Sequence, residues 1–111
     1  MDTKVTYSPI IRQILTEHTR IPYAHGNIQF QTVFDEENQH YLVMLVGREG
    51  PRRVHGCLIH LDIINDKVWI QRDGTEHGVA NDLLDAGLSK NKIVLGFRSP
   101  EVRPYTEFAV A

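Results

Sequence analysis

Two side chains that can do acid–base or metal chemistry, His60 and Asp62, stand two positions apart in the segment HGCLIHLDIIND. Alternate residues of a β-strand project from one face, so a strand here places the imidazole beside the carboxylate. Such a pair can act as a proton relay or contribute to a metal site. The sequence offers no evident third ligand, and this spacing is common in structural hydrogen-bonded pairs. We therefore expect no metal site, no cofactor and no catalytic residue.

The element that must position this pair is a β-hairpin. Asn65 and Asp66 have the side chains that tolerate positive φ in a two-residue turn. A turn there sets Ile63 opposite Val68 and Leu61 opposite Ile70. One face of the hairpin then carries the apolar residues Cys57, Ile59, Leu61, Ile63, Val68 and Ile70. His55 falls on this apolar side and cannot complete a site with His60.

The opposite face of the hairpin is the candidate interaction face. It carries His60, Asp62, Trp69 and Gln71, with Leu58 beside them. Trp69 is the best anchor for an interface because of its large apolar area. A face of this kind is too apolar to stay bare, so either the first helix or another chain covers it. We expect a homodimer or a complex with a partner.

Three further groups are open to more than one interpretation. Asp73 and Glu76 have capping-box spacing, which we favour over a catalytic carboxylate pair. Cys57 is more typical of a small core residue than of a nucleophile. The tail residues Arg98, Arg103, Tyr105 and Glu107 are candidate partner contacts, although they can equally pack down through salt bridges.

Two helices are predicted. Ser8 is a suitable N-cap and Pro9 a suitable first residue for a helix that ends before Pro22. Its buried stripe is Ile10, Ile11, Ile14 and Leu15, with His18 at the edge. A short second helix has the stripe Val79, Ala80, Leu83 and Leu84, and Gly87 is a natural residue just after its end.

Alternating or continuous apolar segments predict the strands. They lie at residues 28–34, 41–46 and 93–97, in addition to the hairpin, and residues 108–110 could add a short edge strand. The resulting fold class is α+β. An N-terminal helix, a mainly antiparallel meander of four to five strands and a second short helix form one domain over residues 1–111.

Composition limits the functional classes. The 111 residues include 12 basic and 14 acidic ones, for a net charge of −2, and no basic run is longer than Arg52-Arg53. Direct DNA binding would need a patch built from Arg48, Arg52, Arg53, Arg72 and Arg98. A lone cysteine, no signal-peptide segment and no long apolar run predict a cytoplasmic protein that does not enter a membrane.

Three motifs in order resemble those of one family. They are GCLIHLDI, VWIQRDGTE and RPYTEFAVA, and the similarity extends from the first helix to the last residue. The chain thus resembles the XisI family, the fdxN element excision controlling factors of cyanobacteria. One departure is Ser99-Pro100, where the family is associated with two prolines.

The resemblance implies a role rather than an active site. It implies an accessory factor for programmed excision of a DNA element, working beside a XisH-like protein and a site-specific recombinase. No catalytic residue is carried over. The alternatives from other classes are a small nuclease or hydrolase that uses His60 and Asp62, and a direct DNA-binding accessory factor.

Overall fold

The computed structural model describes residues 3–20 and 27–111. The helices are α1 (Thr3–His18) and α2 (Val79–Asp85), with short 3₁₀ turns at Lys90–Lys92 and Arg103–Tyr105. The strands are β1 (Asn27–Asp35), β2 (His40–Glu49), β3 (Arg52–Ile64), β4 (Lys67–Asp73) and β5 (Ile93–Leu95).

The five strands form one sheet in chain order, β1-β2-β3-β4-β5. The first four pair antiparallel, and β5 joins β4 in parallel through the crossover that contains α2. The predicted α+β class, with a helix before a mainly antiparallel meander and a short helix after it, is confirmed. The assignment of residues 1–111 to one domain stays a prediction.

The β3–β4 turn lies where the sequence predicts it. Asn65 and Asp66 have φ of 49° and 63°, the left-handed values that a tight two-residue turn requires. Ile63 pairs with Val68, as expected from this turn, and both side chains are buried. Leu61 pairs with Ile70 in the same register.

A β-bulge at Leu58 changes which face the first part of β3 presents. Val43 and Met44 are neighbours on β2, but their partners Ile59 and Cys57 are separated by Leu58. Because cross-strand partners share a face, Cys57 lies on the side opposite Ile59. The prediction that Cys57 belongs to the apolar core face is therefore wrong, and Leu58 packs against the core instead.

Because of the same bulge, the prediction that His55 lies on the apolar face is wrong. His55 pairs with Val46, two residues from Met44, so it lies on the same sheet face as Cys57. That is also the face of His60, which pairs with Leu42. Five positions along the strand still separate His55 from His60, a distance of about 16 Å.

Both helices pack on one face of the sheet and enclose the core. α1 contributes Ile11, Ile14 and Leu15, and α2 contributes Val79 and Leu83. The sheet side of this cluster is formed by Tyr41, Val43, Ile59, Leu61, Ile63, Val68, Ile70 and Ile93. We call the other face of the sheet the outer face.

The first helix begins earlier than predicted. α1 starts at Thr3, so Pro9 lies inside it and Ser8 is not its N-cap. The Ser8 hydroxyl instead donates to both carboxylate oxygens of Glu36, at 2.8 and 2.7 Å. This long-range contact replaces the local cap that the sequence suggests. The helix ends at His18; Pro22, the predicted boundary, lies outside the described residues.

The second helix starts at Val79, with Gly78 as its N-cap, so Asp73 and Glu76 are not a capping box. Asp73 still provides a hydrogen-bond acceptor for the first residue of α2. Its Oδ2 accepts the Val79 N–H at 2.7 Å, although the two residues are six positions apart in the sequence. At the other end, the Gly87 and Leu88 N–H groups donate to the carbonyls of Leu84 and Leu83. These bonds form a Schellman motif, which confirms Gly87 as the residue after the helix.

The C-terminal segment returns to the sheet edge. Ala109 donates its N–H to the Ile93 carbonyl at 2.9 Å and forms an isolated parallel bridge with Val94. The predicted strand over residues 108–110 is thus reduced to one bridge. Among the described helices, none is long and apolar enough to cross a membrane.

Candidate functional site

His40, His60 and Asp62 converge on the outer face. His40 Nδ1 lies 2.6 Å from Asp62 Oδ1, and His60 Nε2 lies 2.8 Å from the same oxygen. The two imidazole rings meet edge to face, with centroids 6.1 Å apart. We call these three residues the His–Asp–His cluster. The sequence identified His60 and Asp62 but missed His40, a third side chain of a type that can hold a metal ion. The absence of a metal site stays a prediction.

The bulge at Leu58 brings His40 into the cluster. Near the β2–β3 turn the strands pair Glu49 with Arg52 and Arg48 with Arg53, and this register would place His40 opposite Leu61. The extra residue in β3 shifts the pairing by one, so that His40 faces Asp62. The sequence carries one sign of this shift, because the consecutive apolar residues Cys57, Leu58 and Ile59 interrupt the alternation of β3.

A second bulge supplies another contact to the carboxylate. His60 pairs with Arg72 and Leu61 with Ile70, which leaves Gln71 as an extra residue on β4. Its amide Nε2 donates to Asp62 Oδ2 at 3.2 Å. Asp62 is 7% exposed, and both of its oxygens are engaged. Asp62 is therefore held with one oxygen directed at the two imidazoles.

The electrostatics of the cluster favour a charged imidazole at its open side. The hydrogen bond to Asp62 raises the pKa of His40, burial opposes the rise, and the negative charges of Asp62 and Asp35 add to it. Half of the His40 side chain is exposed, whereas His60 is less accessible. Solvent therefore reaches the cluster from the His40 side.

Trp69 is covered by the chain's own tail. The guanidinium carbon of Arg103 lies 5.0 Å from the centroid of the Trp69 ring. A Cβ at Gly96 would come within 3.1 Å of Trp69 Cε3, so the backbone passes closely over the indole. The expectation that the first helix covers this face is wrong, because α1 packs on the opposite face. Cover of the face by another chain stays a prediction.

The four tail residues behave differently. Arg103 donates to the carbonyls of Arg98, Val110 and Gly96, and Glu107 accepts a 2.8 Å hydrogen bond from Lys90. Arg103 therefore packs down, whereas Glu107 makes an ion pair at the surface with its side chain 75% exposed. Tyr105 is 89% exposed, and the guanidinium of Arg98 lies over the neighbouring Phe97 ring. Among the described residues of the tail, Tyr105 is thus the most exposed large apolar side chain.

The arginines proposed for DNA binding do not all lie together. Arg48 and Arg53 are paired beside the β2–β3 turn, where Arg52 contacts Glu49 at 3.2 Å. Arg72 donates to the Cys57 carbonyl at 2.8 Å. Cys57 is four residues along β3 from Arg53, a distance of about 13 Å. The positive charge therefore concentrates at the β2–β3 turn rather than across the outer face.

Comparison with known proteins decides the family. The family model described as XisI protein matches residues 1–110. The chain belongs to the XisI family. A crystal structure of a XisI-like protein from Anabaena variabilis is similar, with a TM-score of 0.89, 33% identity and coverage of 97% of this chain and 99% of the other. No curated protein matches.

A second XisI-family structure carries a functional name. It is the fdxN element excision controlling factor XisI from Anabaena variabilis, with a TM-score of 0.83 and 31% identity. The match covers 99% of this chain and 100% of that one. The fold described above is therefore the XisI fold over nearly the whole chain.

Proposed function

We propose that this XisI-family chain is an accessory factor that controls programmed excision of a DNA element in the cytoplasm, as a non-catalytic interaction module. The observation that carries the proposal is the full-length similarity to a solved fdxN element excision controlling factor. A shared fold at 31% identity over nearly the full length of both chains supports a shared role. The net charge of −2 agrees with a protein that works through a protein partner.

The partner in this proposal is a XisH-like protein, with a site-specific recombinase as the enzyme of the pathway. We assign the contact to the tail together with the neighbouring candidate interaction face. Large apolar side chains exposed in the tail are Phe97, Val102, Tyr105 and Val110. Exposed aromatic residues with apolar neighbours are typical anchors of protein interfaces. Trp69 contributes by holding Arg103, and hence the tail, in place.

Co-purification with a XisH-like protein, with and without DNA, tests the proposal. We expect the native chain to retain the partner, and Tyr105→Ala or Val102→Ala to weaken retention by about 10-fold or more. Val33→Ala is the matched control, because Val33 is 49% exposed and Val102 is 44% exposed. Loss of binding in Val33→Ala but not in the tail variants would exclude the tail as the contact.

Self-association is a separate part of the proposal. Part of the outer face near His60 and Gln71 remains accessible beside the covered Trp69. A homodimer with closed two-fold symmetry would bury it and add area beyond what a chain of 111 residues encloses. Light scattering at up to about 100 µM measures the mass. A strict monomer would exclude the dimer while leaving the partner complex in place.

One observation favours a second candidate function. The third group of the His–Asp–His cluster, His40, gives the nuclease or hydrolase alternative a more complete set of polar groups than His60 and Asp62 alone. Cleavage of labelled DNA in the presence of Mg²⁺, Mn²⁺ or Zn²⁺ tests it. Turnover that is abolished by His60→Gln would replace the non-catalytic role with an enzymatic one.

A further inference from the structure

We propose that the His–Asp–His cluster is a binding site for a divalent transition-metal cation of the Zn²⁺ type. The ligands are His40 Nδ1, His60 Nε2 and Asp62 Oδ1, and a water molecule takes the remaining position. The inference does not depend on the proposed role in excision, because it rests only on the geometry of three side chains.

The donor atoms are close enough for a common metal ion. One ligand atom from each of the three residues lies within 4.8 Å of the others. Ligands of a tetrahedral Zn²⁺ at about 2.0–2.2 Å are separated from one another by roughly 3.4 Å. The two contacts to Asp62 Oδ1, at 2.6 and 2.8 Å, need to widen by less than 1 Å, about the movement that a side-chain rotation provides.

The donor types select the metal. Two imidazoles with one carboxylate suit Zn²⁺ and neighbouring transition metals, whereas Mg²⁺ and Ca²⁺ favour oxygen ligands. Coordination uses the lone pairs of His40 Nδ1 and His60 Nε2, so a charged ring releases one proton to solvent and each ring keeps its remaining proton on the other nitrogen. Three protein ligands leave a position open to solvent, as in mononuclear zinc sites that retain a water.

The surroundings resemble the support that metal ligands receive. Gln71 donates to the second oxygen of Asp62 and fixes the carboxylate, with Oδ1 turned toward the imidazoles. Asp62 is buried in a strand, whereas His40 is half exposed. The Asp62 carboxylate is thus held in a fixed position, and His40 is the side chain that can move when an ion binds.

The competing explanation is that His40, His60 and Gln71 only form a structural hydrogen-bond network around Asp62. We call this network the hydrogen-bond bracket. The two imidazoles and the amide satisfy Asp62 by themselves, and no buried side-chain N or O atom of the described residues lacks a partner. A bracket predicts that both rings keep an N–H toward Asp62 and that added metal changes nothing. The two explanations therefore differ in one measurable property, the affinity of the folded chain for Zn²⁺.

Calorimetric titration of the tag-free protein with Zn²⁺ at neutral pH tests the proposal. We expect one Zn²⁺ per chain with a Kd of about 10 µM or tighter, and no binding of Mg²⁺. His40→Gln and His60→Gln should each weaken binding at least about 100-fold, and Gln71→Ala about 10-fold. His77→Gln is the control, because His77 is an exposed histidine near the carboxylate of Asp82, outside the cluster.

A second measurement uses only the native protein, so it remains informative if the variants fail to fold. In the native protein, long-range ¹H–¹⁵N spectra of the imidazoles should show metal-bound nitrogen shifts at His40 Nδ1 and His60 Nε2 after addition of Zn²⁺. Zn²⁺ should also raise Tm, and the rise should continue logarithmically as free Zn²⁺ exceeds Kd. Absence of saturable binding, unchanged imidazole shifts, or equal loss of binding in His77→Gln would each overturn the proposal in favour of the hydrogen-bond bracket.

Discussion

Arg103 holds the C-terminal tail against Trp69. Its guanidinium stacks over the indole at 5.0 Å from the ring centroid and donates to the Arg98, Val110 and Gly96 carbonyls. One side chain therefore links three points of the tail to the outer face of the sheet. This contact leaves Tyr105 exposed while it keeps Trp69 partly buried.

Arg103→Ala should loosen the tail. We expect a loss of about 1–3 kcal/mol in the free energy of unfolding, from the cation–π contact and the carbonyl hydrogen bonds. Trp69 is the chain's sole tryptophan, so its emission should shift to the red as water reaches the indole. Urea unfolding and the emission spectrum measure the two effects. Arg98→Ala is the control, and equal effects in both variants would argue against the stacked geometry.

Leu61→Ala should destabilise the core. Leu61 is fully buried among residues of both helices and the sheet, so truncation should cost about 2–4 kcal/mol through lost transfer energy and a cavity. Ile64→Ala, at the exposed end of the same strand, should cost less than about 1 kcal/mol. Urea midpoints at an unchanged m-value provide the comparison. A loss below about 1 kcal/mol for Leu61→Ala would contradict its place in the core.

Ser8 and Glu36 should be energetically coupled. The Ser8 hydroxyl donates to the Glu36 carboxylate across 28 residues, a bond to a charged acceptor. A double-mutant cycle with Ser8→Ala and Glu36→Gln should give a coupling of about 1 kcal/mol or more. If Ser8 acted as a local helix cap, the two effects would add. Arg12 and Tyr41 also contact Glu36, and the cycle separates their contribution from that of Ser8.

Cys57 should react slowly with alkylating reagents. Burial raises the pKa of its thiol, and neither the nearby Arg72 charge nor the contact with the Ile59 backbone cancels this. At a given pH the thiolate fraction is therefore smaller than for an ordinary cysteine, and the rate should rise only at higher pH. Iodoacetamide labelling followed by mass spectrometry measures the rate. Labelling as fast in the native state as in denaturant would contradict both the burial and the raised pKa.

Local rules were sufficient for several elements. The residue types of Asn65 and Asp66 permit the positive φ of a tight turn, and that turn fixes the pairing of Ile63 with Val68. Gly87 is predictable for the same reason, because its φ of 106° at the end of α2 is unfavourable for other residues. Such features depend on dihedral preferences and short-range periodicity, which the chain carries at each position.

The sequence by itself determined the fold class, the β3–β4 hairpin and the position of His60 beside Asp62 on one face of β3. The tertiary structure alone decided that His40 joins them, because the bulge at Leu58 changes which residue of β3 lies opposite His40. It also decided that Arg103 covers Trp69 and that Ser8 binds Glu36. These contacts join residues far apart in the chain, and their formation depends on the packing of the whole sheet rather than on local preference.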